Sequence, residues 1–257
     1  MSIRASLALL LTSFLIVPTA PPVAAVTTSC DGTSSCLPDL QALPAKDVQL
    51  DIKGKNKVLR FSTLSANVGP GPLELKGGAI DSGRSKQEVE QRIYKTSSPT
   101  GTPAAAVSVG SFVYHPRHRH FHLENYATYD LVPVNPTGPS NSLHGTKTSF
   151  CIQDTLRADD SAAMGQEPPY GTDQGNYAFC GRDIQGMSRG WADRYGYQLA
   201  GQSINVSNQP TGTYDLIITI NPTGNLLEVS TGNNVSTVRI CLTATSVRQG
   251  ECDSAAG

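Results

Sequence analysis

The sequence predicts a mainly β protein with an antiparallel, β-sandwich-like domain, long loops and little helix. Two observations support this class. Short runs of alternating apolar and polar residues recur along the chain and are separated by turns rich in glycine, proline and asparagine, as in antiparallel sandwiches. No stretch keeps the apolar period of an amphipathic helix over three turns or more.

The N-terminus has the pattern of a secretory signal. Arg4 precedes an apolar run at residues 5–17, and small residues follow and end at Ala25, after which we expect cleavage. The run is short for a membrane span, so a retained anchor is the weaker interpretation. We expect an exported mature chain with no membrane segment, in which residues 26–46 form an irregular lead-in and residues 47–257 a single domain.

Each strand is predicted from its alternation or its content of β-branched and aromatic residues. Residues 48–52 alternate apolar and polar side chains, and residues 58–61 follow a turn with glycine and asparagine, which predicts a hairpin. Short strands are expected next at residues 73–75, 89–94, 107–114, 126–132 and 148–152. Residues 154–175 contain paired aspartates, paired prolines and several glycines, so they predict a long loop. The last third predicts strands at residues 201–206, 214–220 and 235–242, with a short extended run at residues 226–229.

The charge balance gives no sign of a nucleic-acid partner. The formal net charge is -1, and removal of residues 1–25 takes away one positive charge, that of Arg4, so it becomes -2. A chain of this charge has no bulk attraction to a polyanion.

The cysteines predict disulfides. Six cysteines, at positions 30, 36, 151, 180, 241 and 252, all follow the predicted signal, and an even number in an exported chain favours disulfide bonds. No CxxC spacing is present, so metal binding by thiolates is the weaker alternative. Closeness in the chain favours bonds of Cys30 with Cys36 and of Cys241 with Cys252, which leaves Cys151 for Cys180.

Histidines are concentrated in one short stretch. Four of the five lie at positions 115, 118, 120 and 122, and neutral imidazole is the most common metal-binding side chain in proteins. On an extended strand His118, His120 and His122 would share one face, with the Cα atoms of the outer pair about 13 Å apart. All three can bind one ion only if the strand curves or bulges there. His115 has the opposite parity and is a candidate fourth ligand or a hydrogen-bond partner of a ligand.

Three imidazoles without a thiolate suit Cu(II) or Zn(II), and intrinsic affinity favours copper. An alternative is an exposed basic strand on which Arg117 and Arg119 bind sulfate or phosphate polymers. That alternative gives no role to histidines that are mostly neutral at neutral pH.

Four blocks of the sequence together resemble the catalytic domain of the lysyl oxidases. They are HPRHRHFHLENYATYDL, HGTKTSFCIQDT, YGTDQGNYAFCGRDIQGMSRGWADRYGYQL and PTGTYDLIITINPTGNLLEVSTGNNVSTVRICL, and they have the order and similar gaps found in that family. The likeness is strong over residues 110–245 and weaker back to Cys30, through VLRFSTLSANVGPGPLEL. The histidine trio alone is moderately specific, whereas four ordered blocks are strongly so.

The resemblance implies a copper ion and an organic cofactor. Carried over position by position, the Cu(II) ligands are His118, His120 and His122. The family lysine in its K-x-S-F-C context matches Lys147, and the tyrosine in its D-x-Y-G context matches Tyr195. Their cross-link would form lysine tyrosylquinone, with Tyr197 as the next candidate tyrosine. His115 matches the leading histidine of its block, and whether it binds metal is open.

The resemblance also implies a reaction. A secreted amine oxidase of this type would convert primary amines, including lysine side chains of proteins, to aldehydes, and would consume O2 and release hydrogen peroxide and ammonia. A base must take a proton from the carbon next to nitrogen, and the candidates in matched blocks are Asp130, Asp154 and Asp183. The histidine that often precedes Tyr-Asp in the family is Thr128 here, so its role is not carried over. Glu124 is a candidate to orient a ligand ring.

A further departure and two alternatives accompany the resemblance. Animal members have extra cysteines, one of them where this chain has Arg117, which implies a simpler disulfide set in which Cys151 keeps its bond with Cys180. The leading alternative is a non-catalytic exported β-sandwich module that binds copper or adheres to a cell-surface partner. A zinc hydrolase is the weaker alternative because no glutamate has an HExxH-type position.

Asn205 and Asn234 begin glycosylation sequons.

Overall fold

The computed structural model describes residue 30 and residues 32–81, 85–116, 118–158 and 176–252. In these residues the chain forms strands and no α-helix, so they contain no helix long and apolar enough to span a membrane. The expected signal at residues 1–25, Arg117 and most of the predicted long loop lie outside the described residues. The described strands are β1 (Leu40–Ala42), β2 (Lys46–Lys53), β3 (Asn56–Asn67), β4 (Leu73–Asp81), β5 (Lys86–Ile93), β6 (Ala105–His115), β7 (His120–Leu123), β8 (Ala127–Pro136), β9 (Leu143–His144), β10 (Leu156–Arg157), β11 (Ile184–Met187), β12 (Trp191–Tyr195), β13 (Ser203–Asn205), β14 (Gly212–Ile220), β15 (Val235–Leu242) and β16 (Val247–Gln249).

The strands form three antiparallel sheets, which confirms the predicted mainly β class. The first sheet is built around β3, a 12-residue strand. The first half of β3 pairs with β2 and β13, and the second half pairs with β1 and β12, which in turn pairs with β10. Thr63 of β3 lies opposite Tyr195, the last residue of β12. Strand β3 therefore sets the position of Tyr195.

The second sheet ends in a histidine-bearing hairpin. Its strand order is β11, β4, β5, β6, β7. In the β6–β7 hairpin His115 lies opposite His120, and Val113 lies opposite His122. Beyond β7, an isolated bridge joins Leu123 to Phe150, so the segment that carries Lys147 is fixed to the edge of this sheet.

The third sheet has the order β16, β15, β14, β8, β9. In its central strand β14 the side chains of Tyr214, Leu216, Ile218 and Ile220 are buried and the residues between them are partly buried, as a strand with one face on the core requires. Each such buried side chain contributes about 1.5–3 kcal/mol of transfer free energy.

Aromatic side chains connect the core to Tyr195. The rings of Phe61 and Tyr129 meet edge to face with centroids 5.1 Å apart, and the Tyr129 and Phe150 centroids are 5.8 Å apart. Phe150 then meets the Tyr195 ring edge to face at 5.0 Å. Aromatic pairs of this geometry add stability beyond the area they bury, so the Tyr195 ring is held by the core.

The six cysteines form three disulfides, and their pairing is the one that closeness in the sequence predicted. The bonds are Cys30 with Cys36, Cys151 with Cys180, and Cys241 with Cys252. The first fastens the start of the described chain, and the last fastens its end to β15.

The predicted hairpin at residues 48–61 is confirmed as β2 and β3, and the strand at residues 235–242 is β15. The predicted strand at residues 148–152 is wrong. Phe150 makes only a single bridge, and the backbone N–H of Ile152 donates to the side chain of Gln185 instead of to a strand. The lead-in is not irregular throughout, because its residues 40–42 form β1 and pair with β3.

The extended run at residues 226–229 also forms no strand, because its backbone groups have other partners. The N–H of Leu227 donates to the side chain of Gln91, and the N–H of Val229 donates to the carbonyl of Pro38. Next to them, the partly buried carboxylate of Glu228 accepts from the N–H of Leu40. This segment therefore ties the N-terminal part of the described chain to the sheets.

Candidate active site

The histidines lie on both sides of a tight turn. Strand β6 ends at His115 and β7 begins at His120, and the backbone N–H groups of His118 and Arg119 both donate to the carbonyl of His115. Arg119 has a φ of 59°, in the left-handed region that a tight turn uses. The expectation that His118, His120 and His122 share one extended strand is wrong for His118, which lies in the turn. The turn supplies the curvature that three converging rings require.

The ring nitrogens converge at His122. Its Nε2 lies 2.8 Å from His120 Nε2 and 3.5 Å from His118 Nδ1. His122 is buried, His120 is partly buried and His118 is exposed. Burial, with the neighbouring imidazoles as a second cause, lowers the pKa of His122 to about 3, so this ring stays neutral at physiological pH and keeps a lone pair for a metal.

His115 occupies the other side of the His122 ring. The two rings stack with centroids 4.2 Å apart. The hydroxyl of Ser149 lies 3.1 Å from His115 Nε2 and 3.5 Å from His122 Nδ1. One nitrogen each of His115, His118 and His122 also lie within 4.8 Å of one another, so two possible metal-binding trios share His118 and His122.

Lys147 is brought to the histidines by backbone contacts. The Leu123–Phe150 bridge has N–H···O distances of 2.7 and 3.0 Å and fixes the chain three residues after Lys147. Gly201 packs against the aliphatic stem, where a Cβ at position 201 would lie 3.0 Å from both Cβ and Cδ of Lys147. The Lys147 Nζ atom lies 4.2 Å from the centre of the Tyr195 ring and 4.7 Å from that of Phe150. Burial lowers the pKa of Lys147 to about 8, against the opposing effect of the Asp193 carboxyl.

Tyr195 is held at both ends. Its backbone pairs with β3, and its hydroxyl donates to the carbonyl of Cys151. Burial, and after it the Asp193 carboxyl, raises the pKa of the Tyr195 phenol well above its ordinary value. The phenol is therefore protonated at neutral pH, and its ring is fixed beside Lys147.

These side chains line one cavity of about 340 Å³, near the lower end of the range for small-molecule sites. Cavity and side chains thus place three imidazoles, one lysine and one tyrosine around a shared space. The lining residues are His118, His120, His122, Lys147, Cys151, Gln153, Cys180, Asp193, Arg194, Tyr195, Leu199 and Ala200.

The sequence profile of the family described as Lysyl oxidase matches residues 84–252. This match covers more than half of the chain and contains every residue of the cavity. The chain belongs to the lysyl oxidase family.

Individual relatives support the same family, and each aligns with about half of this chain. Lysyl oxidase homolog 2 of Homo sapiens is 29% identical over 130 residues, which are 50% of this chain and 15% of that protein. Lysyl oxidase homolog 4 of Mus musculus is 30% identical over 126 residues, 49% of this chain and 15% of that protein. Protein-lysine 6-oxidase of Homo sapiens is 29% identical over 126 residues, 49% of this chain and 27% of that protein. The chain thus spans a minor part of the length of these relatives.

Within this lysyl oxidase domain, the three carboxylates suggested as the base do not line the cavity. Asp130 contacts His144 Nδ1 at the surface. Asp154 accepts hydrogen bonds from the N–H and hydroxyl of Ser188, at 2.8 and 2.7 Å, which is a structural use of its oxygens. Asp183 is 71% exposed. The structure therefore gives none of the three a path to a substrate in the cavity.

Two other sequence-based candidates also lie apart from the cavity. Glu124 forms an ion pair of 2.6 Å with Lys86 and, among the residues that the structure describes, makes no hydrogen bond to a histidine ring. The backbone N–H of Tyr197 donates to the Ser62 hydroxyl. Tyr197 is not among the residues that line the cavity. Tyr195 is the lining tyrosine.

Sequence reasoning missed three residues of the site. Asp193 lies two positions before Tyr195, and the period of a strand places the two on one face, so this signal was present. The contact of Gly201 with Lys147 joins distant segments, and sequence pattern carries no signal for it. Ser149 lies within the K-x-S-F-C motif, two positions after Lys147, which was also a usable signal.

Proposed function

We propose that the chain is an exported copper- and quinone-dependent amine oxidase. It would convert primary amines to aldehydes with release of hydrogen peroxide and ammonia. The observation that carries this proposal is the position of Lys147 Nζ, 4.2 Å from the Tyr195 ring centre, in a cavity that three histidines also line.

The donor set fits copper. All six cysteines are joined in disulfides, so the donors that the histidine cluster offers are imidazole nitrogens, which suit Cu(II). We assign the ligands as His118, His120 and His122, because the nitrogens of the first two face His122 Nε2 at 3.5 and 2.8 Å. His115 Nε2 is engaged by Ser149, so we assign His115 to the support of the His122 ring. Such supporting groups orient ligands and tune metal affinity.

Lys147 and Tyr195 fit the organic cofactor. Bound copper with O2 would supply the oxidation of the phenol ring, and the finished lysine tyrosylquinone would supply the carbonyl that accepts an amine and its electrons. The residues of the chain prepare this chemistry. Burial brings the pKa of Lys147 down to about 8, so a substantial part of the amine is neutral and nucleophilic near neutral pH, and the edge of Phe150 limits movement of the ring.

The cavity favours a narrow amine substrate. Its volume of about 340 Å³ is small, and its lining mixes apolar Leu199 and Ala200 with the buried carboxyl of Asp193. A primary amine at the end of a flexible chain, such as a lysine side chain of a protein, fits this shape. The relative named Protein-lysine 6-oxidase supports lysine as the substrate, and the signal pattern and disulfides support an extracellular location.

The test is whether the copper-loaded protein forms a quinone from these two residues. Intact mass, quinone staining and amine-dependent peroxide release would be measured for wild type, Lys147→Arg and Tyr195→Phe, with Tyr197→Phe as the matched control. We expect a cross-link and peroxide in wild type and Tyr197→Phe only. A wild-type protein that binds copper without a quinone would instead be the non-catalytic copper-binding module. Cross-linking that survives Tyr195→Phe and is lost in Tyr197→Phe would move the cofactor to Tyr197.

A further inference from the structure

The cavity contains a carboxyl group for which the cofactor assignment gives no role. Asp193 is only 2% exposed, and it is the one carboxylate among the described residues that line the cavity. It lies on the same face of β12 as Tyr195, two residues along the strand. The carboxyl is therefore buried beside both precursors of the proposed cofactor.

The hydrogen bonds of Asp193 are incomplete. Its Oδ2 accepts one long hydrogen bond from the N–H of Gln153, at 3.4 Å. Its Oδ1 is buried and has no hydrogen-bond partner within the part of the chain that the structure describes. A buried acceptor without a donor costs free energy, and such groups in native structures often have a functional use.

We propose that Asp193 is the proton acceptor of this cavity: it takes the proton that the Lys147 ammonium must lose for cross-linking, and afterwards the proton of each incoming alkylammonium. This inference rests on the proposed function. In the first step the N–H bond of the Lys147 ammonium breaks and an O–H bond forms on Asp193. The products are a neutral amine and a neutral carboxylic acid, and no electrons leave the pair. Asp193 then releases this proton to water and is a carboxylate again. In the second step it takes a proton from the substrate ammonium, which replaces Lys147 because the cross-link has consumed the lysine nitrogen, and it returns that proton to water in each turnover.

The surroundings favour this transfer. Burial raises the pKa of Asp193 well above its ordinary value, the Gln153 N–H opposes the shift, and Asp154 adds to it. Burial lowers the pKa of Lys147 at the same time. A low-polarity environment thus favours the neutral form of each member of the pair, which is the state that the transfer of a proton from Lys147 to Asp193 produces.

The other ionisable groups near the pair leave this role to Asp193. The phenols beside it are protonated at neutral pH because burial raises their pKa values. The imidazoles near Lys147 are the ones assigned to copper or to its support. Asp154 acts on the pKa of Asp193. The groups whose own pKa values are influenced by Asp193 or Lys147 are Tyr126, Tyr129, Tyr195, His115, His120 and His122.

The first measurement uses the metal-free protein and needs no quinone. Lys147 acetylation by a small reagent is followed against pH by peptide mass spectrometry in wild type, Asp193→Asn and Asp130→Asn. The carboxylate of Asp193 raises the pKa of Lys147, so its removal should shift the labelling midpoint below the wild-type value of about 8. Asp130→Asn removes a carboxylate outside the cavity and should leave the midpoint unchanged. An unchanged midpoint in Asp193→Asn overturns the pairing.

The second measurement follows cofactor formation after copper and O2 are added. A mere electrostatic neighbour would predict faster cross-linking in Asp193→Asn, since more Lys147 is neutral. A proton acceptor predicts the opposite, a loss of about 10²-fold, the usual contribution of a positioned base. Asp193→Ala leaves space in the cavity, and added formate should restore part of its rate. A wild-type rate in Asp193→Asn, or no response of Asp193→Ala to formate, overturns the proposal.

The two measurements separate the failure of this inference from that of the oxidase itself. If wild type forms no quinone, the proposed function fails and the role of Asp193 in it fails too, while the labelling midpoints still report whether the charge of Asp193 acts on Lys147. If wild type forms a quinone and Asp193→Asn matches it in both measurements, the oxidase stands and Asp193 has no part in it.

Discussion

Lys147 Nζ lies 4.2 Å from the centre of the Tyr195 ring, although the two residues belong to segments that are distant in the sequence. The ring is fixed by its strand, by Phe150 and by the hydroxyl bond to Cys151. The lysine is fixed by the Leu123–Phe150 bridge. Groups that are already held near each other react without the entropic cost of finding each other, so the fold holds the two partners of the proposed cross-link close together.

The first prediction concerns the pH dependence of cofactor formation. Only the neutral amine of Lys147 is nucleophilic, and its pKa is lowered to about 8. The neutral fraction grows as pH rises through that value, so the rate of quinone formation should increase from neutral to mildly alkaline pH and then level off. The measurement is quinone absorbance against time after O2 is added to the copper-loaded protein. A rate that continues to rise towards the ordinary lysine pKa of about 10.4 would contradict a buried Lys147.

The second prediction concerns Gly201. Its φ is +82°, and a Cβ there would lie 3.0 Å from two carbons of the Lys147 stem. Gly201→Ala should therefore displace the lysine from the Tyr195 ring and slow cross-linking by on the order of tenfold or more, since small displacements of reacting groups have large effects. Copper binding should be retained, because the histidines are on another segment.

Gly224→Ala is the matched control for this variant. Gly224 has a φ of +67°, and a methyl group added to its Cα would have nothing within 4 Å, so the two variants share the backbone strain of an alanine at positive φ. Their stabilities by thermal unfolding should fall to a similar degree, and only Gly201→Ala should lose cross-linking rate. Equal cross-linking in both variants would show that the Gly201 contact does not position Lys147.

Most of the β-strands could be predicted from the sequence, but only part of the site could. Strands such as β14 and β15 are nine and eight residues long and rich in β-branched residues, and this composition is a local property that sequence shows directly. The segment at residues 148–152 has similar composition, yet its partners are one bridge and the Gln185 side chain. Whether an apolar run finds a neighbouring strand is decided by distant residues, so local pattern could not exclude this one.

The site also contains residues that local sequence motifs predict and residues whose role depends on tertiary packing. The motifs named Lys147 and Tyr195, because each has a recognisable local context. They could not show that Asp193 would lack a partner for Oδ1, or that Asp154 would use both oxygens on Ser188. Which of several aspartates faces a cavity depends on tertiary packing, and this is why the sequence-based candidates for a base did not include Asp193, the aspartate that lines the cavity.

The third prediction concerns Glu228, a carboxylate that holds the fold together away from the cavity. It accepts from the N–H of Leu40 at 2.9 Å and from the side-chain amides of Asn221 and Asn234 at 2.7 and 2.6 Å. Glu228→Ala leaves three donors without their acceptor, at about 1 kcal/mol or more each, so the free energy of unfolding should fall by about 3 kcal/mol. Urea unfolding under non-reducing conditions measures this. The exposed Glu90→Ala on β5 should change it by no more than about 0.5 kcal/mol, and an equal loss in both variants would contradict the role of Glu228.

The last prediction separates the two possible metal-binding trios, which share His118 and His122. If His120 completes the ligand set, His120→Asn should lower the affinity for Cu(II) by several orders of magnitude, because it removes one of three direct ligands. His115→Asn should lower the affinity by about 10–100-fold, the usual effect of a group that supports a ligand, since it removes the ring that stacks on His122 and contacts Ser149. His144→Asn, at an exposed site that contacts Asp130, should leave the affinity unchanged.

Copper titration against a competing chelator gives the affinities, and paramagnetic resonance gives the number of coordinated nitrogens. One nitrogen fewer in His115→Asn, with a wild-type spectrum in His120→Asn, would transfer the third ligand from His120 to His115, where the spacing of up to 4.8 Å between the ligand atoms would have to close around the ion.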